Sequence, residues 1–408
     1  MQADLLIKNI GELVYFENKN LKTITKAALV IKNGKIADFG PEREILDKYE
    51  TENIRVIDVE GKSVIPAFVD PHTHLIYAGC RHEEFLAKLK GKDYVELLKE
   101  GKGINYTVSL TRKESKESLY SFALERLYEM QKHGTLTVEI KSGYGLNYET
   151  EKKMLETARL LRETSNTCVI TTFLGAHAIP PEFTADRKGY IREITQRMLP
   201  DFKSLATFVD IFIDKGAFTV EEAYEILSVA NNLGYKIKMH IDELSYTGAC
   251  KLVREFDVIS CEHMEYTKEE DLIILKEKDV TCVLLPGTYF FMRATQKPLV
   301  SVMRELGLSM ALGTDHNPGT SPFYSQSLIM AMGVFLYNMS VEEALMGVTT
   351  NAAKALGIEE EKGNIKIGMD ADILILNTHS FVHLVYEVGR NLIDKIIKSG
   401  RIINIRST

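Results

Sequence analysis

The sequence is poor in the features that mark secreted, membrane-spanning and nucleic-acid-binding proteins. Its 408 residues include five cysteines, an odd number, and no Cys-x-x-Cys pair. A disulfide framework or a cysteine zinc cage is therefore not expected, and reduced thiols in the cytoplasm are favoured. No stretch approaches about 18 consecutive apolar residues, so no transmembrane helix is predicted. The chain start lacks a basic segment followed by a long apolar stretch, so secretion is not expected.

Blocks of like charge are also missing. The formal net charge is −7, and a nucleic-acid partner usually needs a basic face, so none is predicted. An anionic substrate would have to meet positive charge supplied locally by the site. The sequence has no G-x-G-x-x-G after an apolar run, which leaves a dinucleotide-binding fold little support.

The length of the chain exceeds what one hydrophobic core usually holds. Both ends consist of short β-type segments, and Asn33-Gly34 between two of them predicts a hairpin. Because domain termini often lie close together, we predict one composite β-sandwich domain from residues 1–63 and 364–408. Residues 64–363 are left for a catalytic domain.

Between these ends, apolar runs alternate with amphipathic, helix-type segments. Runs that are apolar throughout suit parallel strands buried on both faces. Eight such units in succession predict an α/β fold, a (β/α)8 TIM barrel, with a doubly wound open sheet as the alternative. The eight runs are 64–70, 135–141, 168–176, 207–214, 236–242, 257–262, 280–286 and 308–315.

Polar residues that follow these runs are the candidates for chemistry, because a barrel of this kind carries its active site where the strands end. His72 and His74 are two residues apart and therefore face the same side. His240 lies in the fifth run and Asp315 ends the eighth. Three imidazoles and one carboxylate suit Zn²⁺ or Fe, and a dication there lowers the pKa of bound water toward neutrality. The set predicts a metal-dependent hydrolase.

Three further residues are placed to take part. Glu243 follows His240 by three residues, close enough to act as a proton shuttle, or it is a solvated loop carboxylate. His263 could donate to a developing oxyanion or orient water, or it is a satisfied core histidine, and His177 has the same two interpretations. The seventh run ends in Pro286-Gly287-Thr288, which looks chemically bland.

Several segments, taken together, resemble a known family. VIPAFVDPHTH, LGTDHNPGTSP and GNIKIGMDADILIL resemble the amidohydrolase superfamily, and AGCRHEEF, KSGYGLNYETEKKM, TFLGAHAIPPE, MHIDELSYTGAC and LLPGTYFF resemble its imidazolonepropionase family. The resemblance implies a distorted barrel, a small β-sandwich from both chain ends and one Zn²⁺ or Fe³⁺ per chain. It also implies hydrolysis of 4-imidazolone-5-propanoate to N-formimidoyl-L-glutamate in histidine degradation, and it suggests a homodimer.

The resemblance assigns roles to individual residues. The metal ligands it implies are His72, His74, His240 and Asp315, and the catalytic residues are Glu243, His263 and Asp315. The substrate contacts it implies are Arg81, Tyr144, His177, Glu243, His263, Asn317, Gly319 and Thr320.

Two positions matter for how well the chain fits this family. The substrate carries a propionate, and the Arg81 guanidinium matches a carboxylate in two-point geometry. The family's usual Pro-Gly-Phe before the metal motif is Pro66-Ala67-Phe68 here. This change matters only if the backbone requires a positive φ at Ala67.

Other interpretations stay open at the sequence level. A deaminase of a nucleobase-like ring shares the His-x-x-Glu arrangement but needs no propionate-binding arginine. A two-metal cyclic amidase could use a carbamylated Lys215, at the end of the fourth run, together with His263. A non-catalytic scaffold would lack ligands or the proton shuttle, and none is missing. Whether Glu243 or Asp315 acts as the general base is not decided by the sequence.

Overall fold

The computed structural model describes residues 4–49, 54–91 and 102–403. Its strands form a four-stranded, a six-stranded and an eight-stranded sheet. In chain order the strands are β1 (Leu5–Ile10), β2 (Glu12–Glu17), β3 (Asn20–Ile24), β4 (Ala27–Lys32), β5 (Lys35–Pro41), β6 (Arg55–Asp58), β7 (Ser63–Pro66), β8 (Phe68–Asp70), β9 (Thr135–Lys141), β10 (Cys168–Ala176), β11 (Phe208–Ile213), β12 (Lys236–Ile241), β13 (Val258–His263), β14 (Thr281–Leu284), β15 (Met310–Leu312), β16 (Ile373–Leu376), β17 (Ile393–Lys398) and β18 (Arg401–Ile403).

Helices connect the strands and surround the eight-stranded sheet. None of those in the described part of the chain has the length and apolar character needed to cross a membrane. The α-helices are Glu42–Lys48, His82–Leu89, Ile104–Lys113, Lys116–Lys132, Tyr148–Thr164, Arg187–Glu193, Leu199–Phe202, Val220–Asn232, Glu269–Glu277, Pro286–Met292, Val300–Glu305, Gln326–Tyr337, Val341–Gly347, Thr350–Lys354 and His383–Tyr386.

The predicted barrel is confirmed. Strands β8 to β15 lie side by side in chain order and are all parallel. Seven of the eight predicted runs each supply one of these strands. The prediction that the first run, 64–70, forms one barrel strand is wrong. Its first half belongs to β7 of the terminal sheet, and only its second half forms the barrel strand β8.

The change of sheet occurs at Ala67. Its N–H donates to the carbonyl of Asp372, 3.0 Å away, which belongs to the C-terminal part of the chain. Ala67 is buried and does not have a positive φ. The alanine that replaces the family's usual glycine is therefore unstrained.

The first and last barrel strands meet along a seam that joins the loops following them. Thr73 and His316 form an isolated parallel bridge across it. The N–H of His74 donates to the carbonyl of His316 at 2.9 Å, and the N–H of Asp315 donates to the carbonyl of His72 at 3.0 Å. These backbone bonds join the two loops and bring His72, His74 and Asp315 together.

The chain ends form the two remaining sheets, in the strand orders β5-β4-β1-β6 and β18-β17-β16-β7-β2-β3. One apolar core lies between them and includes Ile7, Leu29 and Ile373. Strand β7 alternates between two cores, since Val64 faces this one and Ile65 packs in the barrel core. The two chain ends thus share a β-sandwich that is joined to the barrel. Strand β7 begins at Ser63. The predicted domain boundary between residues 63 and 64 stays a prediction.

Local sequence signals are visible in the structure. Asn33 and Gly34 have φ values of 51° and 74° and connect β4 to β5, as expected for a two-residue hairpin turn. Thr219 and Glu222 form a capping box at the start of helix Val220–Asn232. Gly234, just beyond that helix, has a φ of 74°.

Candidate metal centre and active site

Four side chains predicted to bind metal converge at the carboxyl ends of the barrel strands. The ring centroids of His72 and His240 lie 4.5 Å apart, and those of His74 and His240 lie 5.6 Å apart. Asp315 Oδ1 is 3.3 Å from His72 Nε2 and 3.4 Å from His74 Nε2. The ligand atoms of His72, His74 and His240 lie within 4.8 Å of one another, as do those of His72, His263 and Asp315.

Two buried carboxylates orient these imidazoles from below. Glu262 Oε2 lies 2.6 Å from His72 Nδ1, and Asp210 Oδ2 lies 2.8 Å from His240 Nδ1. With both Nδ1 atoms facing carboxylates, the Nε2 atoms are directed to the other side. Nε2 of His72 and of His240 is buried and has no hydrogen-bond partner. Buried imidazole nitrogens of this kind, held from behind by carboxylates, fit a metal ion.

Thr288 orients the carboxylate of Asp315, the fourth candidate ligand. Its hydroxyl donates to Asp315 Oδ2 at 2.5 Å, which leaves Oδ1 facing the histidines. Burial alone would raise the pKa of Asp315, but His72, His263 and this hydroxyl lower it to about 2. The sequence segment that contains Thr288 was expected to be chemically bland, and this expectation is wrong.

A network of buried ion pairs lies beneath the histidines. Lys141 and Lys238 are fully buried, and Lys141 Nζ lies 2.7 Å from Asp210 Oδ2 and 3.0 Å from Glu262 Oε2. Lys238 Nζ lies 2.7 Å from Glu262 Oε1 and 3.1 Å from Glu139 Oε1. Asp210, His240 and Glu262 also have the spacing of a metal site. Here the Lys141 ammonium already forms ion pairs with both carboxylates, and Lys238 pairs with Glu262 as well.

The residues of this network were not assigned a role from the sequence, although the sequence contains a signal for them. Glu139 and Lys141 are two positions apart on β9, and Lys238 and His240 are two positions apart on β12. Such pairs point to the same side of a strand. Charged pairs at this spacing within otherwise apolar strands could have indicated a polar barrel interior.

Lys215, the candidate bridging ligand of a two-metal site, is not brought to this centre. Its side chain is exposed, and none of the three metal-type clusters in the described ranges includes it. The preceding residue, Asp214, is buried and accepts hydrogen bonds from Leu244 N at 2.8 Å and Ser245 Oγ at 2.7 Å. Asp214 thereby fixes the loop that carries Glu243.

Glu243 and His263 face each other next to the four candidate metal ligands. Glu243 Oε2 lies 3.7 Å from His263 Nε2, and the Glu243 side chain is 18% exposed. Burial, with the nearby carboxylates of Asp315 and Asp214, raises the pKa of Glu243 to about 8. Burial lowers the pKa of His263 to about 3, so its imidazole is neutral. His263 has a φ of 72°, a strained value of the kind that functional sites often contain.

His177 and Tyr144 form one wall of the site. The His177 ring stacks on His74 with centroids 5.0 Å apart, and the Tyr144 ring lies 5.5 Å from His177. His177 Nδ1 is 3.0 Å from the Gly143 carbonyl, which can only accept, so Nδ1 carries the proton. Burial and His240 lower the pKa of His177 to about 4. Its Nε2 is therefore a hydrogen-bond acceptor.

Arg81 lies against the turn that follows Asp315. A Cβ atom at Gly319 would be 2.0 Å from Arg81 Nη1, so only glycine leaves room for the guanidinium. Arg81 also forms an ion pair with Glu84, a residue to which sequence reasoning gave no role. Asn317 Oδ1 accepts from the N–H groups of Gly319 and Thr320, both at 2.8 Å. The Asn317 side chain thus shapes the turn. The eight predicted substrate contacts stay predictions.

Comparisons with known proteins agree with this architecture. The model of the amidohydrolase family matches residues 63–403. The chain is 41% identical over 383 residues to the imidazolonepropionase of Shewanella sp. (strain ANA-3), covering 93% of this chain and 94% of that protein. It is 40% identical over 413 residues to the imidazolonepropionase of Symbiobacterium thermophilum, with coverage of 98% and 97%.

A solved structure shows the same fold at low identity. The 5-methylcytosine deaminase from Klebsiella pneumoniae superposes with a TM-score of 0.73 at 17% identity, covering 99% of this chain and 98% of that one. At this identity the likeness concerns the fold alone. The family match and the full-length relatives carry more weight, and this chain belongs to the imidazolonepropionase family of the amidohydrolases.

Proposed function

We propose that this chain hydrolyses the cyclic amide of 4-imidazolone-5-propanoate to N-formimidoyl-L-glutamate, a step of histidine degradation. The observation that carries the proposal is the position of Arg81, whose guanidinium lies against Gly319 in the turn that follows the ligand Asp315. A cation beside a hydrolytic centre suits a ring that bears a propionate. The full-length relatives bear the name of this activity.

We assign one Zn²⁺ or Fe³⁺ ion to His72, His74, His240 and Asp315. In the network of ion pairs below, three carboxylates face two ammonium groups, and Asp315 adds one more negative charge. This excess of negative charge favours a cation at the position to which the four side chains converge. When bound, such an ion polarises the carbonyl and makes a water molecule nucleophilic near neutral pH.

The walls of the site bind and orient the ring. Arg81 holds the propionate by its guanidinium. His177 Nε2, an acceptor, receives a ring N–H, and the Tyr144 hydroxyl donates to a polar atom of the ring. Tyr144 is buried, and burial raises its pKa, so it stays protonated and able to donate. Together these contacts hold the ring carbonyl over the ligand cluster.

The bond changes are those of amide hydrolysis. The oxygen of water forms a bond to the ring carbonyl carbon, and the bond from that carbon to the ring nitrogen breaks. Neutral His263 donates a hydrogen bond to the carbonyl oxygen as its negative charge grows. Glu243, with a pKa near neutrality, passes the proton of water to the leaving nitrogen. Asn317, Gly319 and Thr320 line the position of the new carboxylate.

Location and assembly complete the proposal. We place the reaction in the cytoplasm, which the five free cysteines support, since three of them are buried thiols. The homodimer suggested by the family resemblance stays a prediction. Size-exclusion chromatography with light scattering would test it.

The first experiment is to give the purified protein 4-imidazolone-5-propanoate and follow the loss of its ultraviolet absorbance, with metal analysis of the same sample. We expect turnover that disappears on chelation and returns with about one equivalent of Zn²⁺ or Fe. An inactive sample that is fully metallated would refute the proposed substrate. Two tightly bound equivalents would refute the mononuclear assignment.

A further inference from the structure

We propose that Glu84 is a positioning residue that aims the Arg81 guanidinium at the carboxylate of the substrate. This inference rests on the proposed function, because it concerns the specificity of that same site. Glu84 does not touch the reacting atoms, and its effect is exerted through Arg81.

The pairing of the two side chains occupies one edge of the guanidinium. Arg81 Nε donates to Glu84 Oε2 at 2.9 Å, and Nη2 donates to Oε1 at 2.6 Å. A carboxylate that accepts from Nε and Nη2 lies side-on and leaves the end formed by Nη1 and Nη2 available. The arginine can therefore hold Glu84 and a second carboxylate at the same time.

The guanidinium lies beside the active site. A Cβ atom at Gly319 would be 2.0 Å from Arg81 Nη1 and 2.4 Å from Cζ, so the turn formed by residues 317–320 lies over the face of the guanidinium. The positive charge of Arg81 also acts on Tyr144, where it opposes the rise in pKa that burial causes. Glu84 holds the Nε and Nη2 edge from helix His82–Leu89, which begins directly after Arg81. The side chains of Arg81 and Glu84 are only 9% and 4% exposed, so water competes little for this pair.

Glu84 is itself held in place by other groups. Its Oε2 accepts from Gly103 N at 2.8 Å, and its Oε1 lies 2.9 Å from Lys88 Nζ. Burial opposes ionisation, yet Arg81 and these partners lower the pKa of Glu84 to about 2, so it is charged throughout the neutral range. A charged carboxylate fixed at three points is a rigid support, whereas a long arginine side chain alone samples many rotamers.

A physical consequence follows for substrate choice. A guanidinium fixed in direction binds a propionate carboxylate without first losing rotamer freedom. An arginine free to rotate still attracts the anion, but it must give up that conformational entropy when the carboxylate binds. Loss of Glu84 should therefore weaken the binding of the carboxylate substrate more than the chemical step.

The test is steady-state kinetics of Glu84→Gln with 4-imidazolone-5-propanoate and with its methyl ester, which lacks the negative charge. We expect KM for the acid to rise by about 10- to 100-fold while kcat changes by less than about 3-fold. The ratio of kcat/KM for acid over ester should fall by a similar factor. Glu84→Asp keeps the charge and should recover part of the effect.

The matched control is Glu83→Gln, since Glu83 is the same residue type, adjacent in the same helix and exposed. It should leave KM for the acid unchanged. A folded Glu84→Gln protein with the KM and acid preference of the unmodified enzyme would overturn the inference. If Glu84→Gln does not fold, Glu84→Ala replaces it, and an unchanged KM and acid preference for that folded variant would overturn the inference equally.

Failure of this inference can be told apart from failure of the proposed function. An unmodified enzyme that does not hydrolyse the acid refutes the function itself. An active enzyme whose KM is insensitive to Glu84 refutes only the positioning role.

Discussion

At the scale of single residues, two of the three candidate metal-binding histidines depend on a second side chain that the sequence does not place beside them. His240 has Asp210 behind its Nδ1, and His72 has Glu262. A carboxylate in this position selects the tautomer and the orientation of the ring, so that Nε2 faces the ion. Asp210 also forms an ion pair with Lys141 and therefore links His240 to the network of buried ion pairs.

Asp210→Asn is expected to reduce the affinity for Zn²⁺ by about 10- to 100-fold, because a neutral amide holds His240 less firmly. Competition with a chromophoric chelator would measure the affinity. Asp257→Asn is the control, since Asp257 is exposed and lies beyond the site. Equal affinities for the unmodified protein and the folded Asp210→Asn variant would contradict this account.

At the scale of elements, the loop between β9 and helix Tyr148–Thr164 is shaped by one buried carboxylate. Glu151, in the first turn of that helix, accepts from the N–H groups of Gly145 and Leu146, both at 2.8 Å, and from Gly143 N at 3.1 Å. This loop carries Tyr144. Gly143 has a φ of 105°, and a Cβ there would lie 2.9 Å from His177 Nδ1, so the loop tolerates only glycine at this position.

Glu151→Gln should lower the free energy of unfolding by about 1–3 kcal/mol. The reason is that the amide NH₂ of glutamine is a donor, so it would leave without an acceptor some of the backbone N–H groups that donate to the Glu151 carboxylate. Activity should also fall, since Tyr144 loses its support. Urea denaturation and kcat/KM would measure the two effects. Glu149→Gln, in the same turn with a side chain that is 82% exposed, should change neither. Equal stability of the two variants would show that Glu151 does not clamp the loop.

At the scale of the whole molecule, the four candidate ligands come from distant parts of one barrel. His72 and His74 follow β8, Asp315 follows β15 across the seam, and His240 lies on β12 at the far side. An ion held by all four would tie the seam to the opposite wall. The folded state alone assembles this ligand set, so binding stabilises it by mass action.

Removal of the metal is therefore expected to lower the melting temperature. With free metal at about 100 times its dissociation constant, the loss amounts to about 2.7 kcal/mol. Differential scanning calorimetry of the loaded and the chelated protein, followed by back-titration with Zn²⁺, would measure it. In His240→Ala, which lacks one ligand, chelation should have a much smaller effect. Identical melting of the loaded and chelated forms of the unmodified protein would contradict the proposal.

Much of the architecture could be predicted because the signals for it are local. Runs of apolar residues buried on both faces, the Asn33-Gly34 turn and the helix-ending glycines depend on neighbouring positions only. The convergence of His72, His74, His240 and Asp315 could be predicted because parallel strands in a barrel end at one face. Their role as metal ligands stays a prediction.

The tertiary structure alone decided which side chain faces which across the fold. The first apolar run divides because β7 pairs with β16, some 300 residues later in the chain. Thr288 donates to Asp315, and Lys141 pairs with Asp210, through contacts between separate elements that no local pattern specifies. Burial in a medium of low polarity makes these pairings obligatory, since an unpaired charge there is costly. The sequence by itself therefore determined the elements and the candidate ligands, and the packed barrel determined the partners that orient them.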